Sequence, residues 1–252
     1  MKGVVLAGGL GTRLYPLTKI TNKHLLPVYD LPMVYYPIMT LREAGIDEIL
    51  MVTGGNSVGE FLRLMGDGTK FGLRGLHYTY QEREGGIADA IYLARKFVGD
   101  DSFCVILGDN ILDGSIRECI SNFVDGAMIF IKEVDDPREY GVAILDGKKV
   151  KGIVEKPEKP PSNYAVIGAY VYTGEVFDII RKLKPSERGE LEVTDVNNEY
   201  IKQGRLTYEI FEGYWGDAGA SVDALLDVNN YVARRKKEDP NLWRICPNVN
   251  IP

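Results

Sequence analysis

Glycines follow the first apolar run of the chain, in the segment 6–18 with the sequence LAGGLGTRLYPLT. Glycines at such a turn let several backbone N–H groups point at one anion, which is typical of phosphate-binding loops. A Walker A loop needs Gly-Lys followed by Ser or Thr, and this is absent here. A dinucleotide-binding fingerprint that begins at Gly9 needs a third glycine where Leu14 stands. The segment therefore predicts either a phosphate site of another type or a plain tight turn.

A carboxylate follows a later apolar run, in the segment LGDNIL at 107–112. Ligands of open α/β sheets bind outside the carboxyl ends of the parallel strands, where Asp109 would then lie. An Asp after a strand is also a common turn former. The two histidines, His24 and His77, are too few for a histidine-rich metal site. Asp109 is therefore a candidate ligand-binding residue at the edge of a sheet.

The chain of 252 residues carries 30 Lys and Arg against 36 Asp and Glu, a formal net charge of −6. This acidic balance exerts no long-range attraction on nucleic acid or on an anionic membrane, and we expect neither as a partner. The basic run 234–237 is followed by two acidic residues and is interpreted as a solvated helix end. The three cysteines lack close pairing and no run reaches about 20 apolar residues, so we expect a reduced, cytoplasmic protein.

Short apolar runs alternate with amphipathic stretches in the first half of the chain, which is the pattern of strands and crossover helices. Strands are predicted there at 3–7, 48–52, 76–80 and 103–107, and helices at 36–44, 58–65, 87–97 and 116–124. The later strands are predicted at 127–132, 140–145, 150–155, 165–172 and 206–210, and the later helices at 176–183, 193–203 and 221–237. The predicted fold class is α/β, with a Rossmann-like, mixed and mostly parallel sheet flanked by helices and a strand-rich insertion.

Further segments accompany the glycine loop in a fixed order: NKHLLPVYDLPM at 22–33, LGDNIL at 107–112, REYGVAIL at 138–145, VEKP at 154–157, NYAVIGAYVY at 163–172 and RGELEVTDVN at 188–197. Together with the loop they resemble the sugar-1-phosphate nucleotidylyltransferases, and among these the short-form glucose-1-phosphate thymidylyltransferases. The resemblance extends from residue 1 to about residue 230. It implies an enzyme that makes dTDP-glucose and pyrophosphate from dTTP and glucose 1-phosphate. A user of UTP or of another sugar 1-phosphate, or a non-catalytic regulatory subunit that binds sugar nucleotides, remains the alternative.

The resemblance also implies which residues carry each role. Catalysis falls to Arg13 and Lys23. Nucleotide binding falls to Leu6, Gly8, Gly9, Gly11, Thr12, Arg13, Gln81, Gly86 and Asp109. Sugar-phosphate binding falls to Asn110, Tyr140, Gly141, Glu155, Lys156, Val166 and Arg188. Mg²⁺ is the implied cofactor, held by Asp109 and Asp217.

A single domain, 1–252, is expected, with a nucleotide-binding core at 1–110 and 206–252 and a sugar-binding part at 111–205. The resemblance implies a homo-oligomer. The tail 238–252 is rich in Pro and Asn, so we expect it to form turns and the chain to hold one nucleotide-sugar site.

Three residues depart from the wording common in the family. Ala218 stands where Thr is usual and Asp89 where an amide is common. His24 stands where Gln is more frequent, and we expect it either to orient its neighbours or to face solvent.

Overall fold

The structure is a computed structural model in which residues 1–245 are described; of the predicted tail, residues 246–252 lie outside the described residues. The strands are β1 (Lys2–Ala7), β2 (Pro27–Val28), β3 (Leu31–Pro32), β4 (Glu48–Gly54), β5 (Gly75–Gln81), β6 (Phe103–Leu107), β7 (Asn110–Asp113), β8 (Ala127–Glu133), β9 (Gly141–Asp146), β10 (Lys149–Glu155), β11 (Tyr164–Tyr172), β12 (Leu206–Ile210) and β13 (Tyr214–Asp217). The helices are α1 (Tyr35–Glu43), α2 (Val58–Met65), α3 (Ile87–Tyr92), α4 (Arg95–Val98), α5 (Arg117–Asn122), α6 (Val176–Ile180), α7 (Val193–Lys202) and α8 (Val222–Glu238).

A nine-stranded sheet forms the centre of the described residues, in the order β10-β9-β11-β6-β1-β4-β5, with β8 paired to β11 and β12 to β8. Strands β6, β1, β4 and β5 run parallel, whereas β11 is antiparallel to β6. The predicted α/β class with a mixed sheet flanked by helices is confirmed. The strand-rich stretch that follows β7 extends this same sheet through β8, β9, β10 and β11.

Two apolar layers cover the faces of the sheet. Along β1, Val5 and Ala7 belong to the layer that packs against α1, α2 and α8, while Val4 and Leu6 belong to the layer that packs against α3, α6 and α7. A parallel strand with both faces covered needs apolar residues at every position rather than at alternate ones. This explains the continuous apolar runs of the central strands.

The four parallel strands end at one edge of the sheet. Leu6 of β1 is in register with Val52 of β4 and with Leu107 of β6. Gly54, the last residue of β4, pairs with Gln81, the last residue of β5. Because parallel strands place their carboxyl ends together, the segments that follow β1, β5 and β6 are neighbours.

A second, two-stranded sheet extends this edge. Strands β7 and β13 pair in antiparallel fashion, with Asn110 opposite Asp217 and Asp113 at the other end. Helix α8 is anchored to the same ribbon, since Tyr231 and Arg235 donate hydrogen bonds of 2.7 and 2.6 Å to the Asp113 carboxylate. The sequence patterns predicted neither strand.

The helix predicted at 87–97 is wrong, because the chain forms α3 and α4 there instead. The N–H groups of Leu93 and Ala94 bond to carbonyl groups three residues earlier, which tightens the backbone and separates the two helices.

The basic run 234–237 does end a helix, but it is only partly solvated. Arg235 pairs with Asp113, and the Lys236 ammonium lies 2.7 Å from the Asp30 carboxylate with its side chain 12% exposed. Cations in the last turn also favour α8 through the helix dipole. Among residues 1–245, none of the helices has both the length and the apolar character that a membrane span requires.

We expect Ser221→Ala to lower the free energy of unfolding by about 1 kcal/mol, because Ser221 caps the helix that anchors the ribbon. Its hydroxyl accepts a hydrogen bond of 3.0 Å from the N–H of Ala224. Urea unfolding followed by circular dichroism measures the change. The matched control is Ser57→Ala at the start of α2, where the serine side chain makes no capping hydrogen bond. Equal midpoints for the two variants would contradict the assignment of this cap.

Candidate active site

A cavity of about 380 Å³ opens at the edge where β1, β5 and β6 end, a volume in the range of small-molecule sites. Its lining includes every residue that the sequence assigned to a site: Leu6, Gly8, Gly9, Gly11, Thr12, Arg13, Lys23, Gln81, Gly86, Asp109, Asn110, Tyr140, Gly141, Glu155, Lys156, Val166, Arg188 and Asp217. Side chains from distant parts of the chain therefore meet at one place. Their individual roles stay predictions.

The glycine loop after β1 is shaped by close contacts that leave no room for larger residues. Gly11 has a φ of 65°, and a Cβ there would lie 3.0 Å from the Lys23 side chain and from Thr18. The Thr18 hydroxyl donates a hydrogen bond of 2.8 Å to the Gly11 carbonyl. On the outer side, the Glu84 carboxylate accepts a hydrogen bond of 2.5 Å from the Leu10 N–H. An anion thus already binds an amide of this loop, as expected of a phosphate-binding turn.

Lys23 and Asp109 form an ion pair on the cavity floor, with Nζ 2.5 Å from Oδ2 and side chains 20% and 9% exposed. Burial alone would lower the pKa of Lys23, but the Asp109 carboxylate, with Asp217, raises it above its ordinary value. Burial would raise the pKa of Asp109, but Lys23 holds it well below its usual range. Both groups are therefore charged at neutral pH.

Asp217 brings a second carboxylate to the same floor. It ends β13 opposite Asn110, and the N–H of the next residue, Ala218, donates a hydrogen bond of 2.9 Å to the Asp109 carbonyl. A Cβ at Gly219 would lie 2.2 Å from Asp109 Oδ2, so only glycine fits there. Burial and the nearby Asp109 carboxylate raise the pKa of Asp217 to about 7. The floor therefore holds more negative than positive charge once Asp217 ionises.

Two neighbouring carboxylates with one ammonium beside them suit a divalent cation. Within residues 1–245 no group of three or more His, Cys, Asp or Glu side chains is arranged to hold a metal. Mg²⁺ takes few protein ligands and keeps water or phosphate oxygens for the rest of its octahedron. The residues present therefore fit Mg²⁺ bound by Asp109 and Asp217 and completed by a phosphate ligand, and they do not fit an all-protein cage.

Arg13 lies in the short 3₁₀ turn Thr12–Leu14 and is exposed at the mouth of the cavity. No hydrogen bond or ion pair engages its guanidinium among the described residues. Its positive charge still acts at the cavity floor, where it partly offsets the rise in the pKa of Asp217. The guanidinium is therefore available to an anionic ligand.

Asn110 is buried and uses both ends of its amide. Its Oδ1 accepts hydrogen bonds from the Gly168 N–H at 3.1 Å and from the Trp215 indole at 2.6 Å. Its Nδ2 donates to Asp109 Oδ1 at 3.0 Å. Asn110 thus links β11, β13 and the Asp109 carboxylate, and a direct contact with a sugar phosphate is not needed to explain its position.

Hydroxyl and carboxylate groups line another part of the cavity. The Thr194 hydroxyl donates a hydrogen bond of 2.5 Å to Glu155 Oε2. The Tyr140 ring packs edge-on against Trp215, with centroids 4.9 Å apart. Lys156 has a φ of 42°, a strained value for a residue with a side chain, and its N–H bonds to the Tyr140 carbonyl. The positive φ turns the chain at the end of β10, and the hydrogen bond to Tyr140 holds Lys156 at the cavity.

Arg188 is surrounded by carboxylates. Its guanidinium lies 2.9 Å from Glu192, 3.6 Å from Glu190 and 3.7 Å from Glu155. The side chain is 45% exposed, so these pairs are screened by water and position the group more than they stabilise the fold.

His24 is 2% exposed, so the solvent-facing alternative is wrong. Burial and the neighbouring Lys23 charge lower the pKa of His24 to about 3, which keeps the ring neutral. Its Nδ1 lies 2.7 Å from Asn22 Oδ1, and the Asn22 amide in turn donates to the Ala7 carbonyl at the end of β1. This arrangement fixes the Lys23 segment to the central sheet.

The cavity is also lined by Trp215, Thr194 and Glu84, to which the sequence motifs assigned no role. Trp215 stands two residues before Asp217 and therefore on the same side of a strand. The sequence would have indicated Trp215 as a cavity residue only if β13 had been recognised as a strand. Glu84 lies outside the short motifs, and Thr194 lies within the 188–197 segment but is one of several polar residues there, so neither carries such a signal.

We expect Asp217→Asn to raise the free energy of unfolding at pH 8 in EDTA by roughly 2 to 4 kcal/mol. The pKa of Asp217 in the folded protein, about 7, lies above its ordinary value of 3.8. Ionisation of Asp217 therefore destabilises the wild-type fold progressively as the pH rises through this interval, and Asn cannot ionise.

Added Mg²⁺ should raise the melting temperature of the wild type but not that of this variant. Asp227→Asn, an exposed position on α8, is the control for loss of one charge and should behave as wild type. Mg²⁺ stabilisation of equal size in wild type and Asp217→Asn would remove Asp217 from the metal site.

Several known proteins are similar to this chain over most of its length. A family model described as nucleotidyl transferase matches residues 2–235. The glucose-1-phosphate thymidylyltransferase of Xanthomonas campestris pv. campestris (strain B100) is 45% identical over 239 residues, 92% of this chain and 80% of the relative. That of Actinoplanes sp. is 42% identical over 235 residues, 91% of this chain and 77% of the relative.

Two solved structures are similar over most of their length. One, described as a glucose-1-phosphate thymidylyltransferase from Bacillus anthracis in complex with a sucrose, has a TM-score of 0.87 at 46% identity and covers 92% of this chain and 94% of its own. A UDP-glucose pyrophosphorylase complexed with UDP-glucose has a TM-score of 0.83 at 28% identity and covers 93% and 98%. Because the family model and these relatives span nearly the whole chain, this chain belongs to the nucleotidyl transferase family of enzymes.

Proposed function

We propose that the protein makes dTDP-glucose and pyrophosphate from dTTP and glucose 1-phosphate with Mg²⁺. One observation carries the proposal: a single cavity joins the glycine loop and Arg13 to the Lys23–Asp109 pair and to the polar side chains around Glu155. Relatives 42–45% identical over about nine tenths of the chain carry the name of this activity.

The reaction needs charge control rather than a base. A phosphate oxygen of glucose 1-phosphate attacks the α-phosphorus of dTTP, the new P–O bond forms, and the bond to the β-phosphate oxygen breaks to release pyrophosphate. The nucleophile is already an anion, so no proton has to be removed. The protein must hold two polyanions in line and neutralise the charge that moves to the leaving group.

Lys23 and Arg13 supply this neutralisation in the proposal. Lys23 remains protonated because Asp109 holds its charge in a poorly hydrated place, and such a charge acts strongly on a ligand that excludes water. Arg13, exposed and unpaired in the described structure, grips the triphosphate and then the departing pyrophosphate. Mg²⁺, bound by Asp109 and Asp217, would supply Lewis-acid neutralisation of phosphate oxygens.

The sugar phosphate is assigned to Lys156 and Arg188, with Glu155 on the sugar hydroxyls. Thr194 fixes the Glu155 carboxylate through their 2.5 Å hydrogen bond. A site that bonds a hydroxyl rejects an epimer because buried polar groups are left unpaired. The relatives named glucose-1-phosphate thymidylyltransferases support glucose as the accepted sugar.

UTP is the second candidate nucleotide. The similarity to a UDP-glucose pyrophosphorylase complexed with UDP-glucose favours it, but at 28% identity against 45% for a thymidylyltransferase. Uracil differs from thymine only by a methyl group, which a pocket distinguishes weakly.

We also propose that the protein acts in the cytoplasm and as a homo-oligomer. Cys104 and Cys119 are free thiols in the described residues, in keeping with a reducing compartment. Light scattering on the purified protein measures the oligomeric state.

Pyrophosphate release should be greatest with dTTP and glucose 1-phosphate in a grid of nucleotides and sugar phosphates, and EDTA should abolish it. Lys23→Ala should lower the turnover number at least about a hundredfold, since the charge acts in the transition state. Lys148→Ala, in an exposed turn, is the matched control and should keep wild-type turnover. Folded protein that binds dTDP-glucose but releases no pyrophosphate anywhere in the grid would instead support the regulatory subunit.

A further inference from the structure

Gln81 ends β5 at the cavity and is 8% exposed. Its Nε2 donates a hydrogen bond of 2.8 Å to Asp89 Oδ2 and a longer one of 3.4 Å to the Gly86 carbonyl. Asp89 lies in the first turn of α3 and is not part of the cavity lining. The contact between Gln81 and Asp89 is therefore made behind the cavity wall.

The orientation of the Gln81 amide follows from these partners. A carbonyl oxygen and a carboxylate only accept hydrogen bonds, so the NH₂ group must point at them. A rotation of the amide by half a turn would place Oε1 against two acceptors and break both bonds. The Asp89 carboxylate is itself confined, because a Cβ at Gly85 would lie 2.5 Å from it.

The acceptor end of the amide points the other way. A Cβ at Gly8 would lie 2.8 Å from Gln81 Oε1, so this oxygen faces the glycine loop that lines the cavity. No hydrogen bond reaches Oε1 from the described residues. The wall thus presents one fixed acceptor to a ligand.

We propose that Asp89 is a positioning residue that fixes the Gln81 amide, so that the pocket accepts pyrimidines carrying an N3–H and rejects cytosine. Thymine and uracil have a donor at N3, which the fixed oxygen accepts, whereas cytosine has an acceptor there. The two acceptors would face each other if CTP entered. This inference rests on the proposed function and on the assignment of Gln81 to nucleotide binding, here to the base, and it adds the residue that fixes the direction of the Gln81 amide.

The test compares kcat/KM for UTP and for CTP, which have the same size and sugar, with glucose 1-phosphate as the second substrate. Asp89→Asn keeps the shape but can donate to Oε1 as well as accept from Nε2, so only the longer bond to the Gly86 carbonyl still favours the original orientation of the Gln81 amide. We expect the ratio of UTP to CTP efficiency to fall at least about tenfold, with an absolute gain for CTP. A merely structural defect would lower both efficiencies and give no such gain.

Glu82→Gln is the matched control, because it removes one negative charge from the exposed residue next to Gln81 and should leave the ratio unchanged. Asp89→Ala removes the acceptor altogether and provides a second test should the first variant fold poorly. Folded variants at Asp89 that keep the wild-type ratio would overturn the inference. A wild-type protein that uses UTP and CTP equally would overturn the proposed role of Gln81 instead, whatever the variants do.

Discussion

Lys23 and Asp109 are in direct contact on the cavity floor with Asp217 nearby, and these three charges constrain every element that surrounds them. Three charged groups share a poorly hydrated floor, where their mutual energies are large and each position matters. One ammonium cannot balance two carboxylates. The cavity floor therefore carries an excess of negative charge, which a bound divalent cation would reverse and a phosphate ligand would then balance. The buried charges lower the local stability of the fold but allow it to bind both ligands.

The fold places these charges with elements that are far apart in the sequence. Asp109 follows β6 in the parallel sheet, whereas Asp217 arrives on β13, which pairs with β7 and leads into α8. Asn110 ties the ribbon to β11 and to Asp109 with three hydrogen bonds. Asp217 is thus positioned by a strand and Asp109 by the two-residue turn between the strands β6 and β7, which limits their freedom to move apart.

The elements predicted correctly from the sequence are those whose signal is local. Continuous apolar runs identified β1 and β6, and glycines after β1 identified the loop, because both patterns follow from burial and backbone freedom within a few residues. The β7–β13 ribbon escaped prediction because each strand is four residues long and its partner lies about a hundred residues away. The break between α3 and α4 and the burial of His24 likewise depend on tertiary packing. The residues of the site were found through a family resemblance, and spacing alone would have yielded only the loop and Asp109.

Arg13 and Lys23 differ in their surroundings, and their interactions with an anion should therefore respond differently to the ionic strength of the medium. Counterions gather around the exposed Arg13 and screen its attraction for an anion over roughly 8 Å at physiological salt. They have little access to Lys23, which the cavity floor and Asp109 enclose. Salt should therefore weaken the first capture of a polyphosphate more than the geometry of the bound complex. Arg13 thus makes the first encounter with the ligand sensitive to salt, whereas Lys23 acts in a reaction step that is insensitive to salt.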